Sequence, residues 1–394
     1  MSVKPELVMF SQYLLGGGTS FNRNMLACFP RDYFDIRNIY FNPENWNGAK
    51  ALDIEIGPSD TIFSVGNESV KASAKKLAGL ISEREGAIVS NLETELVCLD
   101  IHKNPAKTVF FICHDDGFIP LAVKYQSVID VYISHNAAVH EELQKLLGGK
   151  NKDIFFIQHG VKIPEVERSF QASPCLKIVF LARHYKFKGI YDLPVINDLL
   201  VKRGVQVDWT VLGDGPERAA IMKQVEHLPN FRFDIPQTTA DVIKILREQD
   251  VFILPSRADG LPVALLESMS VGCVPVLANF SEGIRKVVTD DIGFVVPVGE
   301  NEQFADKIAT LSADRELLVR LGKNCIEKVK REFDINKQAM EYFNLYKRYK
   351  EFKKKRRSGL SDLRRRLRYN DLFNKVDFFI RNFRTRFFSR QATT

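Results

Sequence analysis

Short apolar runs alternate with segments of helical periodicity along most of this 394-residue chain, and that rhythm constrains the fold more than any other feature. Buried parallel strands read as continuous apolar runs because both faces of their sheet are covered, and helices supply the cover. In the first half, ELVMF, AIVSN, TVFFI, DVYIS and DIFFI read as such strands, with helices expected over Thr19–Phe29, Val70–Ile81 and Ala137–Leu147. The second half repeats the pattern with KIVFLA, VDWTVLG, FRFD, DVFILPS and VPVLA as strands. Helices are expected there over Gly189–Lys202, Pro216–His227, Ala240–Arg247, Pro262–Val271 and Phe304–Leu311.

Two such runs in a chain of this length predict two doubly wound α/β domains, residues 1–165 and 166–335, with 162–174 as the linker. Ligands of doubly wound sheets sit beyond the carboxyl ends of the strands, so the expected site is the cleft between the domains. Tyr342, Leu345, Tyr349 and Phe352 recur at helical spacing, and residues 336–355 are expected to pack back on the body.

Composition places the chain among folded globular proteins, with 45% hydrophobic and 27% charged residues. No run approaches the roughly 18 apolar residues of a membrane-crossing helix, and the first residues lack a signal-peptide pattern, so a cytoplasmic location is expected. Six scattered cysteines without a CxxC pair read as reduced, mostly buried thiols, and no HExxH pair supports a metal. The net charge of +7 is unevenly spread: residues 347–390 hold 17 Lys and Arg against 4 Asp and Glu, a net of +13, which leaves −6 for the rest. Within the tail, Phe373, Val376, Ile380, Phe383 and Phe387 fall at steps of three and four, with Lys375, Arg381, Arg384, Arg386 and Arg390 between them. This is the pattern of a basic amphipathic helix, and it points to an anionic membrane surface as partner rather than nucleic acid. A partner-docking helix is the competing reading.

Four segments carry candidate chemistry. GGGTSFNRNML follows the first strand, where Gly16, Gly17 and Gly18 can bring backbone N–H groups and a helix N-terminus to a phosphate, or form a plain turn. In LARHYKFKG, Arg183 and Lys188 flank a strand end and suit a diphosphate. In VLGDGPER, Gly213 shapes a tight strand-to-helix turn that can border a nucleotide pocket. SRADGLPVALLE is the most specific. Asp259 lies on a loop, the DGLPV stretch of Gly260, Leu261, Pro262 and Val263 opens a helix, and Glu267 follows two turns later among apolar and small residues. A carboxylate there needs hydrogen-bond donors, which vicinal ribose hydroxyls would supply.

These residues, in this order, resemble the retaining glycosyltransferases of family 4, which have the GT-B architecture of two facing Rossmann-like domains. The resemblance spans about Leu7 to Phe333 and is densest from Ile178 to Pro297. It implies that Asp259 contacts the donor sugar, Glu267 the ribose, Arg183 and Lys188 the diphosphate, and Gly16 and Gly17 the N-terminal glycine loop. It places His114 of HDDGFIP near the reacting sugar, and it implies that no metal ion or other cofactor is needed, so Asp115–Asp116 is not expected to bind one. The sequence departs from the family in two places. Asp259 stands where glutamate is usual, shortening the reach by about 1.5 Å, and His159 of IQHGVKIP stands where asparagine is usual. With the basic tail, the resemblance implies transfer of a sugar from a nucleotide diphosphate sugar to a lipid-linked bacterial glycan of capsule, O-antigen or lipopolysaccharide core. The enzyme would then be peripheral at the inner face of the cytoplasmic membrane. The rivals are a nucleotide-sugar epimerase of similar fold and an inactive nucleotide-sugar-binding scaffold.

Overall fold

The protein is described by a computed structural model over residues 3–13, 17–42, 57–64, 68–102, 104–150, 152–165, 168, 170 and 175–352. Gly16, part of the expected linker and the basic tail beyond residue 352 lie outside the described residues.

Two all-parallel sheets form the framework. The first contains β1 (Glu6–Gln12), β2 (Asp35–Asn42), β3 (Thr61–Ser64), β4 (Gly86–Ser90), β5 (Lys107–Cys113), β6 (Val131–Ser134) and β7 (Asp153–Phe156), in the order β3-β2-β1-β4-β5-β6-β7. The second contains β8 (Leu176–Leu181), β9 (Val207–Leu212), β10 (Phe231–Asp234), β11 (Val251–Leu254), β12 (Val274–Ala278) and β13 (Phe294–Val296), in the order β10-β9-β8-β11-β12-β13. The strand order reverses between β1 and β4 in one sheet and between β8 and β11 in the other. These two switch points, where successive helices leave to opposite faces, open a crevice at the strand ends.

The apolar runs named from sequence occupy the central strands. Every residue of β4, β5, β6, β11 and β12 is buried, as continuous apolar runs require. The second sheet and its helices share one core that includes Ile178, Trp209, Phe252, Leu265 and Phe304. Three smaller clusters line the two faces of the first sheet.

The chain crosses between domains twice, and the crossings run side by side. The Val161 N–H donates to the Phe333 carbonyl at 2.8 Å, and the Ile335 N–H donates to the Val161 carbonyl at 3.0 Å. The helix Ile335–Lys347 then lies in the first domain's core, where Tyr342 and Tyr346 are fully buried against Phe21 and Phe110. A short final helix, Tyr349–Phe352, follows, and the Thr108 hydroxyl donates to the Tyr349 carbonyl at 2.7 Å. Leu345, Tyr349 and Phe352 are buried in the same cluster as Tyr342.

Candidate active site between the domains

The second domain's share of the site is built on β8 and β11, the strands at its switch point. Beyond β8, Arg183 is exposed, with its guanidinium 5.6 Å over the Tyr185 ring. A 3₁₀ turn, Lys186–Lys188, follows and ends on Gly189 with φ 77°. A side chain on Gly189 would run into the Pro255 carbonyl, so the glycine lets the loops after β8 and β11 pack together. The Arg257 N–H donates to the Phe187 carbonyl at 2.7 Å, and the Arg257 guanidinium pairs with Asp192. That pair anchors the loop after β11 to the helix Asp192–Lys202. Gly213, φ 120°, brings the end of β9 against the Ala182 carbonyl, where a Cβ would not fit.

So positioned, Lys188 Nζ forms an ion pair with Asp259 Oδ2, and both side chains are mostly buried. The other Asp259 oxygen accepts the Gly260 N–H at 3.0 Å. Pro262 caps the helix Val263–Ser270, whose first turn has backbone N–H groups without intrahelical acceptors. Glu267 lies in its second turn, half-buried, with no side-chain hydrogen-bond partner among the described residues. Burial alone pushes its carboxyl up to about 7.

The first domain faces this loop. A Cβ on Gly260 would lie 3.1 Å from Asp115 Cβ and 3.2 Å from the His114 carbonyl oxygen. The strand-end loop after β5 therefore touches the strand-end loop after β11 across the interdomain gap. The helix Gly17–Ala27 lies against the helix Val263–Ser270. Gly17 and Gly18 form its first turn rather than a loop before it, and a side chain at Gly18 would meet open space. On the flank, Lys286 pairs with Glu141 at 3.2 Å across the domains.

Asn91, just past β4, fixes His114. Its amide nitrogen donates to the Phe10 carbonyl at 2.9 Å, so its oxygen faces His114 Nε2 at 3.0 Å and takes that ring proton. Glu95 accepts the Asn91 and Leu92 N–H groups, each at 2.8 Å, and holds the turn. Burial lowers His114 to about 4, so the imidazole is neutral at physiological pH. Asp115 is raised to about 6 by burial and by Asp116, with smaller opposing effects from Asp259 and Lys188 across the gap. His135 and His159 pack beneath His114, and burial holds both well below the usual histidine range.

The structure thus joins Lys188, Asp259 and Gly260 of one domain to His114 and Asp115 of the other. Arg183 lies beyond the end of β8, over Tyr185, and Glu267 lies in the second turn of the helix that follows β11. Sequence reasoning missed Asn91 as the partner of His114, and it missed His135. A readable signal existed: three successive strands of the first domain are each followed within three residues by histidine, in ICH, ISH and FIQH.

Residues 167–328 match the family described as glycosyl transferases group 1. The chain is 27% identical over 205 residues to the UDP-Gal:alpha-D-GlcNAc-diphosphoundecaprenol alpha-1,3-galactosyltransferase of Escherichia coli, covering 52% of this chain and 48% of that one. It is 27% identical over 214 residues to the lipopolysaccharide core biosynthesis glycosyltransferase LpsE of Rhizobium meliloti, covering 52% of this chain and 61% of that one. The chain spans about half the length of these curated relatives. Among solved structures, sucrose-phosphate synthase from Thermosynechococcus elongatus superposes with a TM-score of 0.66 at 14% identity, covering 88% of this chain and 99% of that one. Anabaena HepE in complex with UDP and glucose superposes with a TM-score of 0.66 at 15% identity, covering 86% and 99%. At such identities these likenesses speak to the fold, two facing parallel-sheet domains over nearly all of each neighbour. The match to group 1 glycosyl transferases thus falls on the second domain, residues 167–328, of a chain with the two-domain GT-B fold.

Proposed function

We propose that the chain transfers a sugar, with retention of anomeric configuration, from a nucleotide diphosphate sugar to an acceptor hydroxyl on a lipid-linked bacterial glycan. One observation carries the reading: a mostly buried Lys188–Asp259 pair sits at a switch point, in the gap where the loop of His114 and Asp115 meets Gly260. A cation there suits a diphosphate, and a carboxylate one residue from the opposing domain suits a sugar's hydroxyls. Glu267, with no side-chain donor among the described residues, suits the ribose diol. Relatives named for transfer to a diphosphoundecaprenol-linked sugar and for lipopolysaccharide core biosynthesis support the acceptor class.

The barrier lies in breaking the anomeric C–O bond, which leaves its electron pair on the diphosphate. Lys188, Arg183 and the N–H groups of the first turn at Gly17 and Gly18 oppose that charge, so this transfer requires no metal ion. Closure of the gap excludes water, which would compete as acceptor. His114, neutral and with Nε2 held by Asn91, offers Nδ1 as an acceptor toward the sugar. Location follows from the tail. Its apolar stripe and flanking arginines, outside the described residues, suit an anionic membrane surface, and among the described residues no helix is long and apolar enough to cross a membrane.

A thermal-shift panel of UDP-glucose, UDP-galactose, UDP-N-acetylglucosamine and GDP-mannose tests the proposal, because a ligand that binds the folded state raises Tm by mass action. At least one donor and its free nucleoside diphosphate should raise Tm, and Lys188→Ala should abolish the shift. A panel without effect, or an equal shift in the variant, would overturn the reading.

A further inference from the structure

Three imidazoles stand together at the carboxyl edge of the first sheet. His114 follows β5, His135 follows β6 and His159 lies three residues beyond β7, and these strands are neighbours. One ligand-capable nitrogen from each lies within 4.8 Å of the other two. Phe21 sets its ring edge-on to all three, at centroid distances of 6.3, 5.1 and 4.8 Å. Tyr342 closes the box beside His135.

Inside it, His135 Nε2 and His159 Nδ1 are buried without a hydrogen-bond partner among the described residues. Each such atom costs about 1–3 kcal/mol if nothing satisfies it, and two in one cluster are rare enough to ask for a ligand. The far sides of two rings are already held. His135 Nδ1 lies 3.1 Å from the Ile157 carbonyl and 2.9 Å from the Tyr342 hydroxyl, which itself donates to that carbonyl at 3.0 Å. The proton therefore sits on Nδ1 and the lone pair on Nε2. His114 donates from Nε2 to Asn91, which leaves its lone pair on Nδ1. Histidines that bind metals show this division, one nitrogen donating to an oxygen that orients the ring and the other on the ion.

We propose that His114, His135 and His159 form a binding site for a single zinc-like divalent cation, with water from the cleft as a fourth ligand on the half-buried His114 side. Three imidazole nitrogens suit zinc and similar borderline ions better than magnesium or calcium, which prefer oxygen. Zinc–nitrogen bonds of about 2.0–2.1 Å require the nitrogens to draw closer than they stand. The His135 and His159 rings, with centroids 3.6 Å apart and planes tilted by 30°, must turn out of their stack as the ion enters. The ion would join the ends of β5, β6 and β7. It lies on the first-domain side of the gap and is not the counter-ion of the donor diphosphate, but it would claim the His114 Nδ1 that the proposed transfer turns toward the sugar, so ion and donor sugar would compete for that nitrogen and the titration is run without donor.

The test uses the full chain, stripped with EDTA and titrated with zinc chloride by calorimetry, with cobalt chloride followed by visible absorption in parallel. The expected result is one zinc per chain, a four-coordinate cobalt spectrum without thiolate bands, and a zinc-dependent rise in Tm. His159→Asn and, separately, His135→Gln should each weaken binding by at least about tenfold and remove the rise. His140→Asn, outside the cluster, should change neither. Absence of one-equivalent binding overturns the proposal, and so does binding that persists in the variants. Circular dichroism of the metal-free variants checks folding, and should one variant misfold, the other and the wild-type cobalt spectrum decide.

Discussion

At the scale of single residues, Glu267 shows how a buried carboxyl without a donor among the described residues opposes stability. Its carboxyl is raised from 4.5 to about 7 because burial disfavours the charge, and no side-chain donor offsets this among the described residues. The folded state therefore binds this proton more tightly than the unfolded chain does. Stability from this group is fully present below about pH 4.5 and is lost as pH rises toward 7, reaching a deficit of roughly 3 kcal/mol at pH 8. Glu267→Gln keeps the shape and removes the charge. Its Tm should exceed that of the wild type at pH 8 and match it at pH 4.5, while binding of the stabilising nucleotide falls by about tenfold or more, in line with loss of a charged hydrogen bond. Equal Tm differences at both pH values would show that the carboxylate is not the strained group. The places of Lys188, Asp259 and Glu267, on the loops after β8 and β11 and on the helix that follows, were legible because the order of motifs survives in sequence. Their environment was not: nothing in SRADGLPVALLE says that Asp259 meets Lys188, or that Gly260 meets Asp115 from another domain.

At the scale of elements, legibility followed burial. The central strands announced themselves as unbroken apolar runs, whereas β2, DIRNIYFN, is half polar and β3 is a four-residue edge strand, and neither was read. The helix Arg315–Glu332 also escaped. Its buried Leu318, Leu321, Cys325 and Val329 keep helical spacing, but charged residues crowd between them. One polar feature holds the first sheet together at its amino edge. Lys107 at the start of β5 is fully buried and pairs with Glu6 of β1 at 2.8 Å, while Arg84 reaches Glu6 at 3.4 Å and Asp35 of β2 at 2.6 Å. Lys107 and its neighbours hold Glu6 below the ordinary carboxylate range despite burial. Lys107→Met removes the shortest ion pair and leaves Glu6 the longer ones to Arg84 at 3.4 Å and Arg37 at 3.8 Å, so it should cost about 1.5–3 kcal/mol in denaturant unfolding, the worth of a charged hydrogen bond. Glu6→Leu combined with Lys107→Met should recover most of that loss. A single variant as stable as the wild type would show that Arg84 and Arg37 hold the Glu6 charge without Lys107.

At the scale of the whole molecule, the C-terminal helices make the domain order in space differ from that in sequence. The second domain ends near Phe333, yet the residues that follow complete the core of the first. Periodicity showed that Tyr342, Leu345, Tyr349 and Phe352 share a face; which domain receives that face depends on the side-by-side crossings at Val161 and Phe333, which no local pattern encodes. A chain ending at Asp334 should therefore harm the domain farther away in sequence. Phe343, Tyr342, Tyr346, Tyr349 and Phe352 are each at most 6% exposed, and emptying one large aromatic site typically costs about 3–5 kcal/mol. Losing five exceeds the 5–15 kcal/mol that holds a typical domain. The second domain keeps its own core, from Ile178 to Phe333, intact. Limited proteolysis of the truncated chain should digest the first domain and leave a resistant fragment that begins near Cys175. Calorimetry should show one remaining transition, of smaller enthalpy than the full chain's. Equal resistance of both halves would mean that the first sheet closes its core without these helices, and that their aromatic rings add contact rather than completion.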